Sequence, residues 1–212
     1  ERLFLNKGKA QASLWSEADK APEFPLEKDI LSLYDECWQD DWYETAETKK
    51  EYYDKGKKLL LRFYGEIKAS PPNVIALELP FTLKIGESVF RGKIDRIDSH
   101  DDGTVEIIDY KTGTPKDAKS VEKDQLLIYQ LACRDVLHPQ GTIPGLPSAL
   151  TFYYVEDGSR VSFLASDEEL DKFKQNTLET VGEISKSTFA PTPSPSKCRF
   201  CDFKDICEAR QL

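Results

Sequence analysis

Two short segments in the middle of the chain carry residue types that bind divalent cations and activate water. Gly92-Lys93-Ile94-Asp95 ends in an aspartate, and the aspartate of Ile108-Asp109-Tyr110-Lys111 lies fourteen residues further on. Mg²⁺ prefers carboxylate oxygens and water, and it takes only one or two protein carboxylates. A lysine beside such a cation can orient the attacking water and offset charge on a phosphoryl group. These residue types indicate metal-assisted chemistry on a phosphate ester.

The spacing of these residues fits two adjacent β-strands. Side chains alternate between the faces of a strand, so Asp109 and Lys111 project together. A turn predicted at residues 99–103 folds the chain back, and the resulting hairpin places Asp95 beside that pair. The alternative is a turn-forming aspartate and an exposed ion pair, which is typically worth under about 1 kcal/mol. The strand that carries Asp109 and Lys111 has apolar residues on both faces, which favours a functional site over a surface ion pair. Charges at the end of a strand that is buried on both faces usually belong to such a site.

A third pair of polar residues follows on a predicted helix. Gln125 and Tyr129 are four residues apart and share one helical face. Alone, the pair is compatible with an ordinary amphipathic helix. The order and spacing of the three segments on strand, strand and helix favour one joint site.

The combination resembles the motifs of the PD-(D/E)XK nucleases, specifically the RecB-like branch, which read approximately G-x-x-D, (D/E)-x-K and Q-x-x-x-Y. The resemblance covers residues 74–131. It implies a restriction-endonuclease-like α/β fold, in which a mixed central sheet is flanked by helices, and a Mg²⁺- or Mn²⁺-dependent DNA nuclease. The implied catalytic residues are Asp95, Asp109, Lys111, Gln125 and Tyr129. The aspartates would bind the metal with the carbonyl of Tyr110. The lysine would position the attacking water and stabilise the transition state, while the glutamine and tyrosine would orient the lysine or contact the DNA backbone.

Two further ligand positions are open. Glu78 falls on the first predicted strand and is either an auxiliary metal ligand or a structural residue. Many members of the family supply a metal-binding histidine from a helix before the sheet. The two histidines here, His100 and His138, lie elsewhere, so we expect both at the surface.

Hydrophobic periodicity and turn residues predict the elements and their order. The predicted helices cover residues 26–42, 48–67, 118–136 and 167–186. The predicted strands cover residues 74–85, 88–97, 104–111, 148–155 and 160–164. We expect a nuclease domain over residues 1–190, with N-terminal helices (1–70), a catalytic core (74–137) and a hairpin with a helix (148–187). A stiff linker with prolines at 191, 193 and 195 and a cysteine tail complete the chain over residues 191–212.

Three of the five cysteines form a C-x₂-C-x₅-C cluster: Cys198, Cys201 and Cys207. The short spacing favours metal ligation over disulfides. Zinc and a [4Fe–4S] cluster both need four ligands, and the spacing does not choose between them. The resemblance to iron–sulfur RecB-like proteins, such as AddB-type helicase–nuclease subunits and CRISPR-associated exonucleases, favours the [4Fe–4S] cluster. Cys37 and Cys133 are interpreted as buried thiols on helices, so the fourth ligand is not identified.

The composition limits the class of protein. A formal charge of −9 and a pI near 4.9 exclude a protein that coats DNA through a basic excess, although they are compatible with carboxylates at a metal site. No apolar run reaches the roughly eighteen residues of a membrane span, so we expect a soluble, cytoplasmic protein. We also expect a prokaryotic source. The absence of methionine suggests a domain excised from a longer chain.

The leading hypothesis is an exonuclease of DNA repair, recombination or CRISPR-type processing, acting on single strands or DNA ends beside a helicase domain or subunit. The alternative is a catalytically inactive RecB-like DNA-binding or scaffold module. Retention of Asp95, Asp109 and Lys111 favours the enzyme. A third reading treats the cysteine tail as a zinc-binding interaction element on an unrelated enzyme.

Overall fold

The sheet is built from five strands that the hydrophobic pattern of the chain anticipates. The computed structural model describes residues 24–114 and 122–211. The strands are β1 (Val74–Ile85), β2 (Ser88–Ser99), β3 (Val105–Lys111), β4 (Pro147–Tyr154) and β5 (Arg160–Phe163). The helices are α1 (Glu27–Cys37), α2 (Ala46–Ala69), α3 (Asp124–Ala132), α4 (Asp167–Lys186) and α5 (Pro195–Arg199). The contacts between residues divide the chain into two compact units, Glu1–Leu170 and Asp171–Leu212. The first unit contains the whole sheet.

The strand order of the sheet is β1-β2-β3-β4-β5. The first three strands form an antiparallel meander, β4 is parallel to β3, and β5 is antiparallel to β4. A parallel neighbour requires a crossover connection, and the segment with α3 and the π-helical turn Cys133–Leu137 provides it. The predicted mixed α/β fold is therefore confirmed.

The third strand lies at the centre of this sheet and is buried on both faces. Val105, Ile107 and Ile108 are all inaccessible to solvent. The rings of Phe63, from α2, and Tyr110, from β3, meet edge to face at 5.9 Å on one side of the sheet. Helix α3 packs on the opposite side. Because β3 is a core strand, polar side chains at its end are held in fixed positions.

The strand predictions are confirmed, since each strand begins and ends within two residues of its expected bounds. Two helices differ more. The first ends at Cys37 instead of residue 42, because Trp38 adopts an extended backbone (φ −65°, ψ 128°). The third begins at Asp124, after the non-helical residues 122 and 123, and the predicted start at residues 118–121 lies outside the described residues.

Two predictions about individual residues are wrong. Cys37 is exposed instead of buried, because it is the last residue of α1. Pro195 is not part of an extended linker, because it is the first residue of α5. The side chain of Ser194 caps this helix by accepting a hydrogen bond from the Lys197 N–H at 3.3 Å. Proline suits the first helical turn, because the N–H that it lacks would have no helical partner there.

Cys133 is buried as predicted, and burial raises the pKa of its thiol to about 12. Among the described residues, no helix has the length and apolar character required to cross a membrane.

Candidate active site

The structure brings the two predicted metal-binding aspartates to neighbouring positions on β2 and β3. The pairing of these strands ends at Arg96 and Ile108. Asp95 and Asp109 occupy the next positions beyond this pair, since Asp95 precedes Arg96 in β2 and Asp109 follows Ile108 in β3. The two carboxylates are close enough that the charge of Asp95 raises the pKa of Asp109. The Asp95 carboxylate accepts a hydrogen bond from the Tyr110 N–H at 3.0 Å. This bond fixes the carboxylate just beyond the end of the β2–β3 ladder.

Asp109 is the buried member of the pair. Its side chain is 2% exposed, and its Oδ2 lies 2.6 Å from the Lys111 Nζ. The Lys111 ammonium is therefore the donor and counter-ion of this buried oxygen. Burial raises the pKa of Asp109, the Lys111 ion pair lowers it, and the charge of Asp95 raises it again, leaving it above its ordinary value. A buried carboxylate beside a second carboxylate suits a divalent cation.

Lys111 is held by groups on β4 and α3. Its ammonium donates to the Gln125 Oε1 at 2.6 Å and lies 5.0 Å from the centre of the Phe152 ring. Gln125 in turn donates from Nε2 to the Tyr129 hydroxyl at 2.9 Å. Direct contacts therefore link four of the five residues predicted as catalytic, and Asp95 adjoins them through the Tyr110 N–H. Their catalytic roles stay predictions.

Tyr129 lies at the inner end of this chain of contacts. Burial raises its pKa, the Gln125 hydrogen bond lowers it, and the negative charges of Asp109, Asp95 and Glu78 raise it further. The phenol is therefore protonated at neutral pH.

Gly92, the glycine of the first motif, has a packing role that the sequence did not reveal. It pairs across the strands with Phe81, and a Cβ built on it would lie 2.6 Å from the Phe81 ring. That ring contacts the Tyr129 ring edge to face at 5.7 Å. The missing side chain thus lets a phenylalanine lie across β2 and support the tyrosine of the site.

We expect Gly92→Ala to destabilise the fold by about 1–3 kcal/mol, because the added methyl group overpacks the Phe81 ring. Urea unfolding of the metal-free protein measures this loss. The matched control is Val89→Ala on the same strand, where the side chain is 57% exposed and the expected change is within about 0.5 kcal/mol. Equal stability of the two variants would contradict the packing role.

Glu78 reaches the site from β1. Leu77 pairs with Arg96 and Leu79 with Ile94, so Glu78 lies opposite Asp95. Its φ of +50° is in the left-handed region, which costs a non-glycine residue about 1 kcal/mol or more. Its exposed carboxylate forms an ion pair with Lys93 at 2.8 Å. Both the metal-binding and the structural interpretation of Glu78 stay open.

The other predicted ligand positions are not assembled into a metal site. His100 and His138 are exposed, as expected. Cys198, Cys201 and Cys207 are each half-buried, with no disulfide. Within residues 24–114 and 122–211, no three histidine, cysteine, aspartate or glutamate side chains lie close enough together to hold a metal ion. The predicted metal-binding residues Asp95 and Asp109 contribute two carboxylates, and their role as ligands stays a prediction.

Comparisons with known proteins place these features in context. A curated relative, the Gene 69 protein of Mycobacterium phage D29, is 28% identical over 147 residues, covering 67% of this chain and 51% of the relative. The chain therefore spans about half the length of that protein.

Two solved structures are also similar. One, named SSO0001, has a TM-score of 0.41 and 16% identity, covering 88% of this chain and 95% of that one. The other, a candidate exonuclease from Eubacterium rectale, has a TM-score of 0.44 and 14% identity, covering 99% and 82%. The family model of the PD-(D/E)XK nuclease superfamily matches residues 11–208. Its match spans the sheet, the helices and the assembled D…D-x-K group, and the chain belongs to this superfamily.

Proposed function

We propose that the chain is a metal-dependent deoxyribonuclease that hydrolyses phosphodiester bonds. The observation that carries the proposal is the meeting of Asp95, Asp109 and Lys111 at the end of the central strands. Membership of a nuclease superfamily supports the same reaction class.

The carboxylates fit a hard divalent cation. PD-(D/E)XK nucleases generally use metals such as Mg²⁺. Such a cation takes one or two protein carboxylates and completes its shell with water. Asp95 and Asp109 would hold it, because the two carboxylates are close enough for the charge of Asp95 to raise the pKa of Asp109. The Tyr110 carbonyl and Glu78 are further candidate ligands. When bound, Mg²⁺ or Mn²⁺ would polarise a phosphoryl oxygen and activate water.

The side chains around the carboxylates would orient the reacting groups. Lys111 presents a positive charge beside Asp109, where it would offset negative charge that develops on the phosphoryl group. Gln125 holds the ammonium and Tyr129 holds Gln125, so the lysine is restrained before substrate arrives. A restrained charge needs little reorganisation when the phosphate reacts.

Finer assignments rest on the resemblance to RecB-like nucleases. They are exonuclease action, a role in repair, recombination or CRISPR-type processing, a helicase partner, a cytoplasmic location and a [4Fe–4S] cluster at the C-terminal cysteines, with zinc as the alternative. The cluster is supported by the C-x₂-C-x₅-C spacing and has no fourth ligand identified in this chain.

Cleavage of labelled single- and double-stranded DNA tests the proposal. We expect Mg²⁺ or Mn²⁺ to support cleavage and EDTA to stop it. Asp95→Asn should reduce the rate by about a hundredfold or more, because metal catalysis contributes several kcal/mol. Asparagine can still accept the Tyr110 N–H, so the hairpin should remain folded.

The matched control for this variant is Asp101→Asn, in the exposed turn between β2 and β3, which should cut like the wild type. Cleavage that survives EDTA would exclude the metal mechanism. DNA binding without cleavage under any of these conditions would favour the non-catalytic module.

A further inference from the structure

A cavity of about 430 Å³ lies between the sheet and helices α1 and α2, with Asp95 in its wall. Its volume is in the range of small-molecule pockets, about 300–1,000 Å³. Three aromatic rings contribute to the lining: Tyr34, Phe63 and Tyr110. Leucines of α2 and β1 supply most of the remaining surface. Asp95 and Glu78 border this space, but the proposed reaction gives no role to its rings and leucines.

Charge limits what can enter the cavity. Asp95 and Glu78 are the charged residues in the lining, and none of the described lining residues carries a positive charge. A phosphate group would be repelled by the two carboxylates and would lack a counter-ion. An uncharged, flat and largely apolar group is the chemical match for these rings and leucines.

The tyrosine hydroxyls are engaged outside the cavity. The Tyr34 hydroxyl donates to the Tyr53 carbonyl at 3.1 Å, and the Tyr110 hydroxyl accepts from Arg96 Nη1 at 3.0 Å. These bonds fix the orientation of the rings. Both tyrosines therefore offer the cavity a restrained ring, which is the kind of surface on which nucleobases stack.

The position of the cavity relative to the catalytic group completes the assignment. Asp95 joins the apolar cavity to the proposed metal, whereas Lys111 and Gln125 line a different cavity of about 520 Å³. A nucleotide whose phosphate lies at Asp95 and Asp109 has its base within a few bonds of that phosphate. The base can therefore reach the apolar side while the phosphate stays near the lysine.

We propose that the apolar cavity receives an unpaired nucleobase adjacent to the phosphate that is cut. This inference rests on the proposed nuclease function and deepens it. A base inside a duplex is stacked and paired, so entry would require both interactions to be broken. The preferred substrate is then a single strand or an unpaired end, and Tyr34 is a residue that determines this specificity.

Gly56 positions Tyr34. A Cβ on Gly56 would lie 2.2 Å from the Tyr34 hydroxyl oxygen, so only glycine lets the tyrosine rest against α2. Gly56→Ala should displace the ring and weaken binding of single strands. Gly65→Ala is the matched control on the same helix, because a Cβ there meets nothing within 4 Å.

The decisive experiment scans 2-aminopurine, a base whose fluorescence responds to stacking, through single-stranded oligonucleotides. Titrations use the full chain with Ca²⁺ in place of Mg²⁺, and electrophoresis verifies that the strand is intact. We expect a large fluorescence change at one position next to the cut phosphate. The same base paired inside a duplex should give none.

Variants of Tyr34 identify the pocket. Tyr34→Ala should weaken binding roughly tenfold, since it removes one base–ring stack, and should raise KM more than it lowers kcat. Tyr34→Phe keeps the ring and loses the hydroxyl bond to the Tyr53 carbonyl, so it should restore most of the binding. Tyr52→Ala, which removes a 52% exposed tyrosine outside the cavity, should have no effect.

The outcomes separate this inference from the proposed function. Metal-dependent cleavage with equal 2-aminopurine signals at every position would overturn the pocket and leave the nuclease in place. A 2-aminopurine fluorescence change at one position that depends on the Tyr34 ring, in a protein that does not cleave DNA, would support the base-binding cavity and contradict the proposed nuclease activity. The wild-type scan needs no variant, so a failure of Tyr34→Ala to fold would not leave the question open.

Discussion

Asp109→Asn is expected to reduce Mg²⁺-dependent DNA cleavage by about a hundredfold or more. The substitution keeps the shape of the side chain and removes the charge of a carboxylate that is 2% exposed. An amide oxygen binds a hard cation more weakly than a carboxylate. Single-turnover cleavage with excess enzyme measures the effect on the chemical step.

The same variant should lose stabilisation by metal. A ligand present at a hundred times its Kd stabilises the native state by about 2.7 kcal/mol, which raises Tm in proportion. We expect Mn²⁺ or Mg²⁺ to raise the Tm of the wild type and to leave that of Asp109→Asn unchanged. Equal metal-induced shifts in both proteins would show that Asp109 is not a ligand.

Without metal, Asp109→Asn should not destabilise the protein at neutral pH. The pKa of Asp109 is raised in the fold, chiefly by burial, so the native state binds its proton more tightly than the unfolded state. The wild type therefore loses stability as pH rises from the ordinary carboxyl pKa through the raised one. The variant lacks this loss, so its stability relative to the wild type should be greater at pH 7 than at pH 3, as measured by urea unfolding.

Lys111→Ala is the second substitution with a large expected effect. Removing a positioned group that stabilises transition-state charge typically lowers kcat by about 10²–10³-fold. Here the lost ammonium lies 2.6 Å from the Asp109 Oδ2 and 2.6 Å from the Gln125 Oε1. The fold should survive, because the Lys111 side chain is 34% exposed and water can replace it.

A shift in the pH–rate profile distinguishes this role from a merely structural one. Lys111 lowers the pKa of Asp109, so its removal should raise that pKa further. In the proposed mechanism the ionised carboxylate holds the metal, so the acidic limb of the profile should move to higher pH. Lys111→Arg keeps the positive charge, so it should return the acidic limb to its wild-type pH. It should recover little of the cleavage rate, because a planar guanidinium does not reproduce the geometry of a compact ammonium.

Lys84→Ala supplies the matched control. This lysine lies on β1, is mostly exposed, and pairs with Glu87 at 3.4 Å. Its removal should alter neither the rate nor the pH profile. An unshifted profile for Lys111→Ala would contradict the electrostatic coupling between the lysine and the aspartate.

Local periodicity accounts for the parts of the fold and site that could be predicted. Alternation along a strand places Asp109 and Lys111 on one face, and a spacing of four places Gln125 above Tyr129 on one helix. The turn at residues 99–103 set the hairpin register that brings Asp95 close to Asp109. These relations depend on neighbours in sequence, so they can be derived without a structure.

Properties that depend on distant neighbours could not be predicted. The exposure of Cys37 follows from where α1 ends, which its helical period does not encode. The role of Pro195 depends on the cap that Ser194 provides. Similarly, the ion pair of Glu78 with Lys93 joins two strands whose pairing fixes the contact.

The residue types, their order and their spacing determined by themselves the strands, the α/β class and the group that joins two aspartates with a lysine. Only the tertiary structure decided that Asp109 is buried, that Gly92 makes room for Phe81, and that an apolar cavity adjoins Asp95. The physical reason is that periodicity fixes the direction of a side chain. Burial and empty space arise from the packing of elements that are far apart in the chain.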